Sequence, residues 1–266
     1  MEPMLNIALR AARKAGEIIA RASEDIDRIE VNEKGRNDFV SEVDKAAEKE
    51  IIYHLHKAHP EHSILAEESG ESVGSDPDYQ WIIDPLNGTN NFLRGIPHYA
   101  VSIACKFRGQ MQHAVVLDPI RREEFTASRG RGAQLNGRRI RVSDRKYLEG
   151  ALLGTGIPFK DNCHRHLPAY IQTLSELASQ TAGIRRAGAA SLDLAYVAAG
   201  RLDAFWEMGL QSWDIAAGTL LVREAGGLIS DFTGDTEYLE NGNIVCGNPK
   251  CFKAVLQTTQ PLLGKL

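Results

Sequence analysis

An α+β fold built in stacked layers is what this sequence of 266 residues predicts, and three observations predict it. Apolar residues recur at helical spacing in two segments near the N-terminus and alternate with period two from Tyr99. In the second half of the chain they fall into short strands and helices that take turns. Helix, meander and alternating units can each bury an apolar face only against another layer, so one unit of two subdomains, 1–150 and 151–266, is expected.

Each element has its own signal. Leu5, Ala8, Leu9, Ala12, Ile18 and Ile19 make one face of a first helix that ends before Glu24 and Asp25. Ser41-Glu42-Val43-Asp44 has the form of a capping box, Ala46, Ala47, Ile51, Ile52 and Leu55 follow it, and Pro60 closes the second helix. Tyr99, Val101, Ile103, Cys105 and Phe107 alternate as a half-buried strand does. Gly109-Gln110 then turns the chain toward 114–117, and the meander continues through 124–127. There Asn136-Gly137, with type I′ chemistry, joins 134–135 to 139–142. Beyond it the expected elements are 152–154, a helix through the 170s, 184–186, 191–199, 204–207, 214–224, 228–230 and 244–246. Gly226-Gly227 supplies a left-handed helix stop.

Composition excludes several classes. Apolar residues make up 43% of the chain, enough for an ordinary core, and no run approaches the roughly 18 apolar residues of a membrane helix. Charges interrupt the apolar pattern at the N-terminus, so no signal peptide and no membrane are expected, and the location expected is cytoplasmic. Cys105, Cys163, Cys246 and Cys251 form no C-x-x-C pair and read as reduced thiols, while Cys163-His164-Arg165-His166 reads as a polar surface loop. Net charge of −4 gives the whole molecule no attraction for nucleic acid. Arg121, Arg122, Arg129, Arg131, Arg138, Arg139, Arg141, Arg145 and Lys146 do crowd one quarter of the chain. A solvated outer sheet face explains them more simply than a binding face.

The chemistry gathers in "WIIDPLNGTNNF", residues 81–92. A buried strand ends in Asp84, and Pro85 is expected to stop it, leaving the carboxylate at a strand's C-terminal end where ligands bind in layered α/β folds. Gly88-Thr89 open a short helical stretch whose N–H groups suit an anion, although Thr89 also fits a plain N-cap. Two further acids are candidates: Glu67 in "AEESG", otherwise a solvated loop acid, and Asp214 after Trp213, otherwise the N-cap of the helix that follows.

The segments "AEESG", "WIIDPLNGTNNF" and "FWEMGLQSWDIAAG" resemble the three signature regions of the inositol monophosphatase family, whose middle motif usually reads D-P-L/I-D-G-T-x-N-F/Y. Together with "VSEVDKAAE", "RGRGAQLNG", "RRAGAASLDLAYVAAGRLDAFWE" and "GNIVCGN" the likeness covers nearly the whole chain and is strongest to a bacterial branch. It implies the layered αβαβα sandwich shared with fructose-1,6-bisphosphatase and Mg²⁺-dependent hydrolysis of inositol monophosphate or a related polyol phosphate. Two or three Mg²⁺ per site and inhibition by Li⁺ are implied with it.

The resemblance also assigns roles. Glu67, Asp84 and the Leu86 carbonyl would hold a first Mg²⁺, and Asp84, Asn87 and Asp214 a second. Thr89 and Asp44 would orient a water and take its proton, with Glu67 beside them. Gly88, Thr89 and Lys34 would face the phosphate, and Gly188, Ala189, Ala190, Glu207 and Asp214 the polyol. A homodimer is implied, with the segment around Arg185 and Arg186 near its interface.

Position 87 departs from the pattern. Asn87 stands where the family has aspartate and Asn90 where threonine is common; an amide oxygen can ligate Mg²⁺ but brings no charge. Losing it implies a cost of at least the roughly 10–100-fold of an outer ligand partner. Three readings stay open: a weak phosphatase needing high Mg²⁺, a crippled variant, or an Asn87-Gly88 pair that deamidates. A rival function comes with the same resemblance, because the bacterial branch includes accessory factors of ribosomal RNA transcription antitermination. These contact Nus factors, RNA polymerase and the ribosomal RNA leader; the arginine cluster is the surface to test for that role.

Overall fold

The structure, a computed structural model, describes residues 2–26, 29, 31–35, 38–158 and 164–265, with the backbone alone for 31–35, 38–40 and 164. Two helices open the chain. Helix α1 (Pro3–Ala22) buries Leu5, Leu9, Ala12 and Ile19, and α2 (Glu42–Ala58) buries Val43, Ala47, Ile51 and Leu55. Strands β1 (Val31–Gly35) and β2 (Asp38–Ser41) pair antiparallel between them. The capping box of α2 forms as its sequence predicts, with Ser41 and Asp44 satisfying each other's N–H groups.

The meander lies in an eight-stranded sheet. Its strands are β3 (His62–Ala66), β4 (Gly70–Ser72), β5 (Asp76–Asn87), β6 (Ala100–Phe107), β7 (Gln110–Asp118), β8 (Glu123–Ser128), β9 (Gly132–Leu135) and β10 (Arg138–Arg139). The spatial order is β10-β9-β8-β7-β6-β5-β3-β4, and within it β3 and β5 run parallel. Asn136 and Gly137 both have positive φ, 49° and 76°, as a type I′ turn requires.

Strand β6 differs from expectation. It is buried on both faces rather than one: Val101, Ile103 and Cys105 pack with α1 and α2, while Ala100 and Ala104 pack with a second helical layer. The small residues at the even positions, Ala100, Ser102 and Ala104, read as the open side of that alternation, yet their small volume is what allows helices to cover that face. Strand β5 also differs, for it does not stop at Pro85. The pairing with β6 skips after Asp84 and resumes at Asn87, so the proline, which has no N–H to give, sits in an irregularity of the ladder rather than at its end.

After a short helix α3 (Thr89–Leu93), the second sheet comprises β11 (Leu152–Thr155), β12 (Gly183–Arg185), β13 (Ala204–Glu207), β14 (Leu228–Ser230) and β15 (Ile244–Gly247), in the order β12-β11-β13-β15-β14. Helices α5 (Ala190–Ala198) and α6 (Ser212–Glu224) fill the space between the two sheets. Helices α4 (Leu167–Ala178) and α8 (Pro249–Leu263) cover the far side of the second, and α7 (Tyr238–Asn241) is a single turn. The layers therefore run α1α2, sheet, α5α6, sheet, α4α8: an αβαβα sandwich with three apolar interiors.

Several arginines of the basic cluster are tied locally. Arg121 donates to Pro97 O at 2.7 Å and to Asp118 at 2.9 Å, Arg145 lies 3.4 Å from Asp203, and Arg131 lies 3.4 Å from Glu2. Arg138 and Arg139 stand exposed on β10, the edge of the sheet. Cys105, Cys246 and Cys251 are buried and free, with burial pushing the Cys105 thiol up to about 12; Cys163 lies outside the described residues. Among the described residues no helix is long and apolar enough to cross a membrane.

Candidate active site

Parallel pairing builds the first half of the site. Ala66 on β3 lies beside Ile83 on β5, so the next residues along each strand, Glu67 and Asp84, come out side by side. The Glu67 N–H donates to Ile83 O at 3.1 Å, which continues the ladder one step past β3. Behind them Glu48, a buried acid of α2, accepts the Glu68 N–H at 2.8 Å and pins the loop that carries Glu67. Glu67 is half-buried rather than a solvated loop acid.

Asp84 is buried at the bottom of this arrangement. Burial holds its carboxyl well above the usual carboxylate range, and the neighbouring charges of Glu67 and then Asp214 add to the shift. One oxygen accepts the Leu86 N–H at 3.0 Å; the other accepts from the Asn87 side chain at 2.8 Å.

Helix starts supply the remaining acids. Asp44, fully buried at the third position of α2, accepts the Ser41 N–H at 2.8 Å and the Ser41 hydroxyl on one oxygen, and the Thr89 hydroxyl at 2.9 Å on the other. Burial raises its pKa in spite of those three donors. Thr89 Oγ1 also lies 3.0 Å from the Leu86 carbonyl oxygen. Thr89 is the first residue of α3 and not its cap; Gly88 caps, at φ 99°, where a Cβ would come within 3.1 Å of His98 O and 3.2 Å of the Ala189 Cβ. Asp214 is likewise not the cap of α6. The helix starts two residues earlier, Gln211 is the cap, and Asp214 accepts its N–H at 2.7 Å from the third helical position.

Asn87 connects the two halves. Its Nδ2 donates to Asp84 at 2.8 Å and to Asp214 at 3.0 Å, and its Oδ1 accepts the Ser191 N–H at 3.0 Å and the Ser191 hydroxyl at 2.8 Å. Two carboxylates on one side and an N–H on the other fix which end of the amide is nitrogen. Ser191, in the first turn of α5, is a site residue that sequence reasoning missed; it stands one position beyond the 188–190 loop that was singled out. Asn91 was missed too. Its Nδ2 donates to His98 O and Ala187 O, both at 2.8 Å, and so ties the 188–190 loop to the turn after β5.

Glu207 stands at the end of β13, half-buried rather than exposed. A Cβ at Gly156, beyond the neighbouring parallel strand β11, would collide with its carboxylate, so only glycine there leaves that carboxylate its place. Lys34 lies on β1, and its side chain is outside those described.

The donor set admits a hard cation at one of the two expected positions. Glu67, Asp84 and the Leu86 carbonyl offer oxygens around a buried acid that is hard to ionise without positive charge nearby. At the other position an amide N–H, not an oxygen, faces the carboxylates. Among the described residues the one group of three metal-binding side chains whose ligand atoms all lie within 4.8 Å of one another is elsewhere: His59, Glu61 and His62. There the His62 Nδ1 accepts the Trp81 indole N–H at 3.1 Å, so in the neutral ring Nε2 carries the proton. Its ring stacks between His59 and Tyr79, which makes the group a packing feature of β3 and β5.

Fold and site together define a member of a phosphatase-type scaffold, two sheets and three helical layers with acids converging at strand and helix ends. Residues 1–263 match the family model described as the inositol monophosphatase family, and the chain belongs to that family. It is 66% identical over 265 residues, 99% of this chain and 98% of the relative, to a protein of Pseudomonas aeruginosa named Nus factor SuhB. The extragenic suppressor protein suhB of Bartonella henselae superposes with a TM-score of 0.94 at 43% identity, covering 97% of this chain and 99% of that one. An inositol monophosphatase from Anabaena superposes with a TM-score of 0.85 at 35% identity over 98% of each chain.

Proposed function

We propose that this chain is a Mg²⁺-requiring phosphomonoesterase for inositol monophosphate or a related polyol phosphate, working below the rate of a family member with aspartate at position 87. The observation that carries the reading is the buried Asp84 carboxyl set beside Glu67 by the parallel register of β3 and β5, a pairing of acids that a divalent cation relieves. Glu67, Asp84 and the Leu86 carbonyl would hold that cation. Bound Mg²⁺ supplies positive charge at the phosphate oxygens and lowers the pKa of water.

The chain's own residues do the rest. Thr89 donates its hydroxyl hydrogen bond to Asp44, which leaves a lone pair of Thr89 Oγ1 to accept a proton from water. As that water attacks phosphorus, its proton passes to Thr89 while the Thr89 proton moves to Asp44, whose burial-raised pKa suits it to receive one; the bond from phosphorus to the polyol oxygen breaks, the departing oxygen takes a proton from solvent, and Asp44 returns its own to solvent. Gly88 and Thr89 N–H groups steady the phosphate, and Lys34 adds charge. Glu207 and the 188–190 loop hold the polyol hydroxyls, with Asp214 between them and the phosphate. Phosphate release from inositol 1-phosphate across a Mg²⁺ titration is the test. Release that depends on Mg²⁺ and vanishes in Asp84→Asn is expected; release indifferent to Asp84→Asn overturns the reading. A homodimer is part of the proposal, and light scattering giving the mass of a single chain would remove it.

A second reading is favoured by the name of the Pseudomonas relative: an accessory factor of transcription antitermination that binds Nus factors, RNA polymerase or the ribosomal RNA leader. The exposed edge arginines Arg138 and Arg139 are the surface to probe. Reversal of both charges to glutamate is expected to weaken binding to those partners, and unchanged binding excludes this edge.

A further inference from the structure

We propose that Asn87 takes the place of a second cation: its amide bridges Asp84 and Asp214, so the site of this chain holds one divalent cation and keeps its shape without another. The inference rests on the phosphatase reading for the identity of the site, and on four hydrogen bonds for the rest. Nδ2 gives one proton to each of two carboxylates, at 2.8 and 3.0 Å, and so stands between two charges that otherwise repel. Oδ1 receives two donors from Ser191, at 3.0 and 2.8 Å, which engage both of its lone pairs. An amide oxygen so engaged is not free to ligate, and an amide nitrogen carrying two protons has no lone pair to offer a cation. A cation between Asp84 and Asp214 would therefore have to break all four bonds and turn the amide over.

An aspartate at 87 reverses the situation. Its oxygens would face those of Asp84 and Asp214 at the same distances with no proton between them, and only a cation or a shared proton would hold the three together. Deamidation requires the side-chain carbonyl carbon to swing onto the Gly88 nitrogen, and the four bonds hold it in place.

The experiment compares the full chain with its Asn87→Asp variant, using Mn²⁺ as the probe metal counted by electron paramagnetic resonance and by calorimetry, with thermal melting in EDTA alongside. One Mn²⁺ per wild-type chain is expected and two per variant chain. In EDTA the variant is expected to melt lower by at least about 4 °C, a gap that Mn²⁺ closes. Two Mn²⁺ bound by the wild type with the affinities of the variant overturn the proposal, and so does a variant that melts with the wild type in EDTA. If the variant does not fold without metal, the wild-type count alone decides. Failure of the phosphatase reading looks different: a variant that is weakened in EDTA but binds no Mn²⁺ leaves the amide bridge standing and removes the metal site.

Discussion

Helices α2 and α6 begin in the same way and do different things. Each brings an aspartate to its third position, Asp44 and Asp214, and each aspartate accepts the N–H of the cap residue, at 2.8 and 2.7 Å. Asp44 also accepts from two hydroxyls, those of Ser41 and Thr89, groups that can pass a proton as well as give one. Asp214 meets an amide, Asn87, which gives a hydrogen bond but cannot relay a proton at neutral pH. The shared capping geometry shows that a helix start fixes a carboxylate in space whatever its task. What the second oxygen touches decides whether the group can do acid-base work or only hold charge.

The sharpest way to break this comparison is to remove the charge at each helix start in turn. Asp44→Asn keeps a side chain that can accept the Ser41 N–H but cannot take a proton, so kcat is expected to fall by roughly 10²–10⁴-fold with the Mg²⁺ midpoint little moved. Asp214→Asn is expected to shift that midpoint by less than about tenfold, below the usual effect of disturbing a metal's ligands, because the Asp214 carboxylate already accepts from the Asn87 amide at 3.0 Å. Steady-state kinetics across Mg²⁺ concentrations reads both. A larger shift at 214 would make Asp214 a direct ligand and end the asymmetry.

Smaller effects are expected from the cap residues. Ser41→Ala removes the hydroxyl that caps α2 and leaves a buried Asp44 oxygen with one donor fewer, which costs about 1–2 kcal/mol. Gln211 is exposed, and the N–H that Asp214 accepts belongs to the backbone. Gln211→Ala therefore is expected to cost no more than about 0.5 kcal/mol. Urea denaturation of the two variants gives the difference. Ser191→Ala falls between them: it removes one of the two donors to Asn87 at a cost of about 1 kcal/mol, with the backbone N–H still in place.

How much of this was legible follows from the range over which each signal acts. The capping box of α2 and the type I′ turn at Asn136-Gly137 are written within four residues, and both form as read. The start of α6 was misplaced by two residues because glutamine is a poor cap by propensity, while Asp214, a good one, stood three positions on. Pro85 inside β5 was unreadable for a similar reason: proline argues for a strand end unless the neighbouring strand skips, and the skip belongs to the pairing with β6. The partner of Asn87 was beyond reach. Ser191 lies 104 residues away, and only the docking of α5 between the sheets brings it to the amide. Glu67 and Asp84 were singled out as separate acids, and it is the parallel register of β3 with β5 that sets them side by side. The roles expected of Asp44 in proton transfer and of Glu207 in holding a polyol hydroxyl rest on family likeness, since capping and a strand end explain those acids locally.

The finest test of the comparison is the pH dependence of stability at Asp44. Burial raises its folded pKa above the ordinary carboxylate value, with the Ser41 and Thr89 hydrogen bonds pulling the other way and losing. A raised folded pKa means that the native chain binds this proton more tightly than the unfolded chain does. The contribution to stability is therefore fully present below the unfolded carboxylate value, about 3.9, and is lost as pH rises through the folded value. Asn at this position cannot ionise and carries no such loss. Asp44→Asn is thus expected to gain stability relative to the wild type between pH 4 and pH 7, measured by denaturant unfolding in EDTA at each pH. A relative loss over that interval would mean that the donors outweigh burial, and that Asp44 is held as a carboxylate by its hydroxyls rather than poised to accept a proton from them.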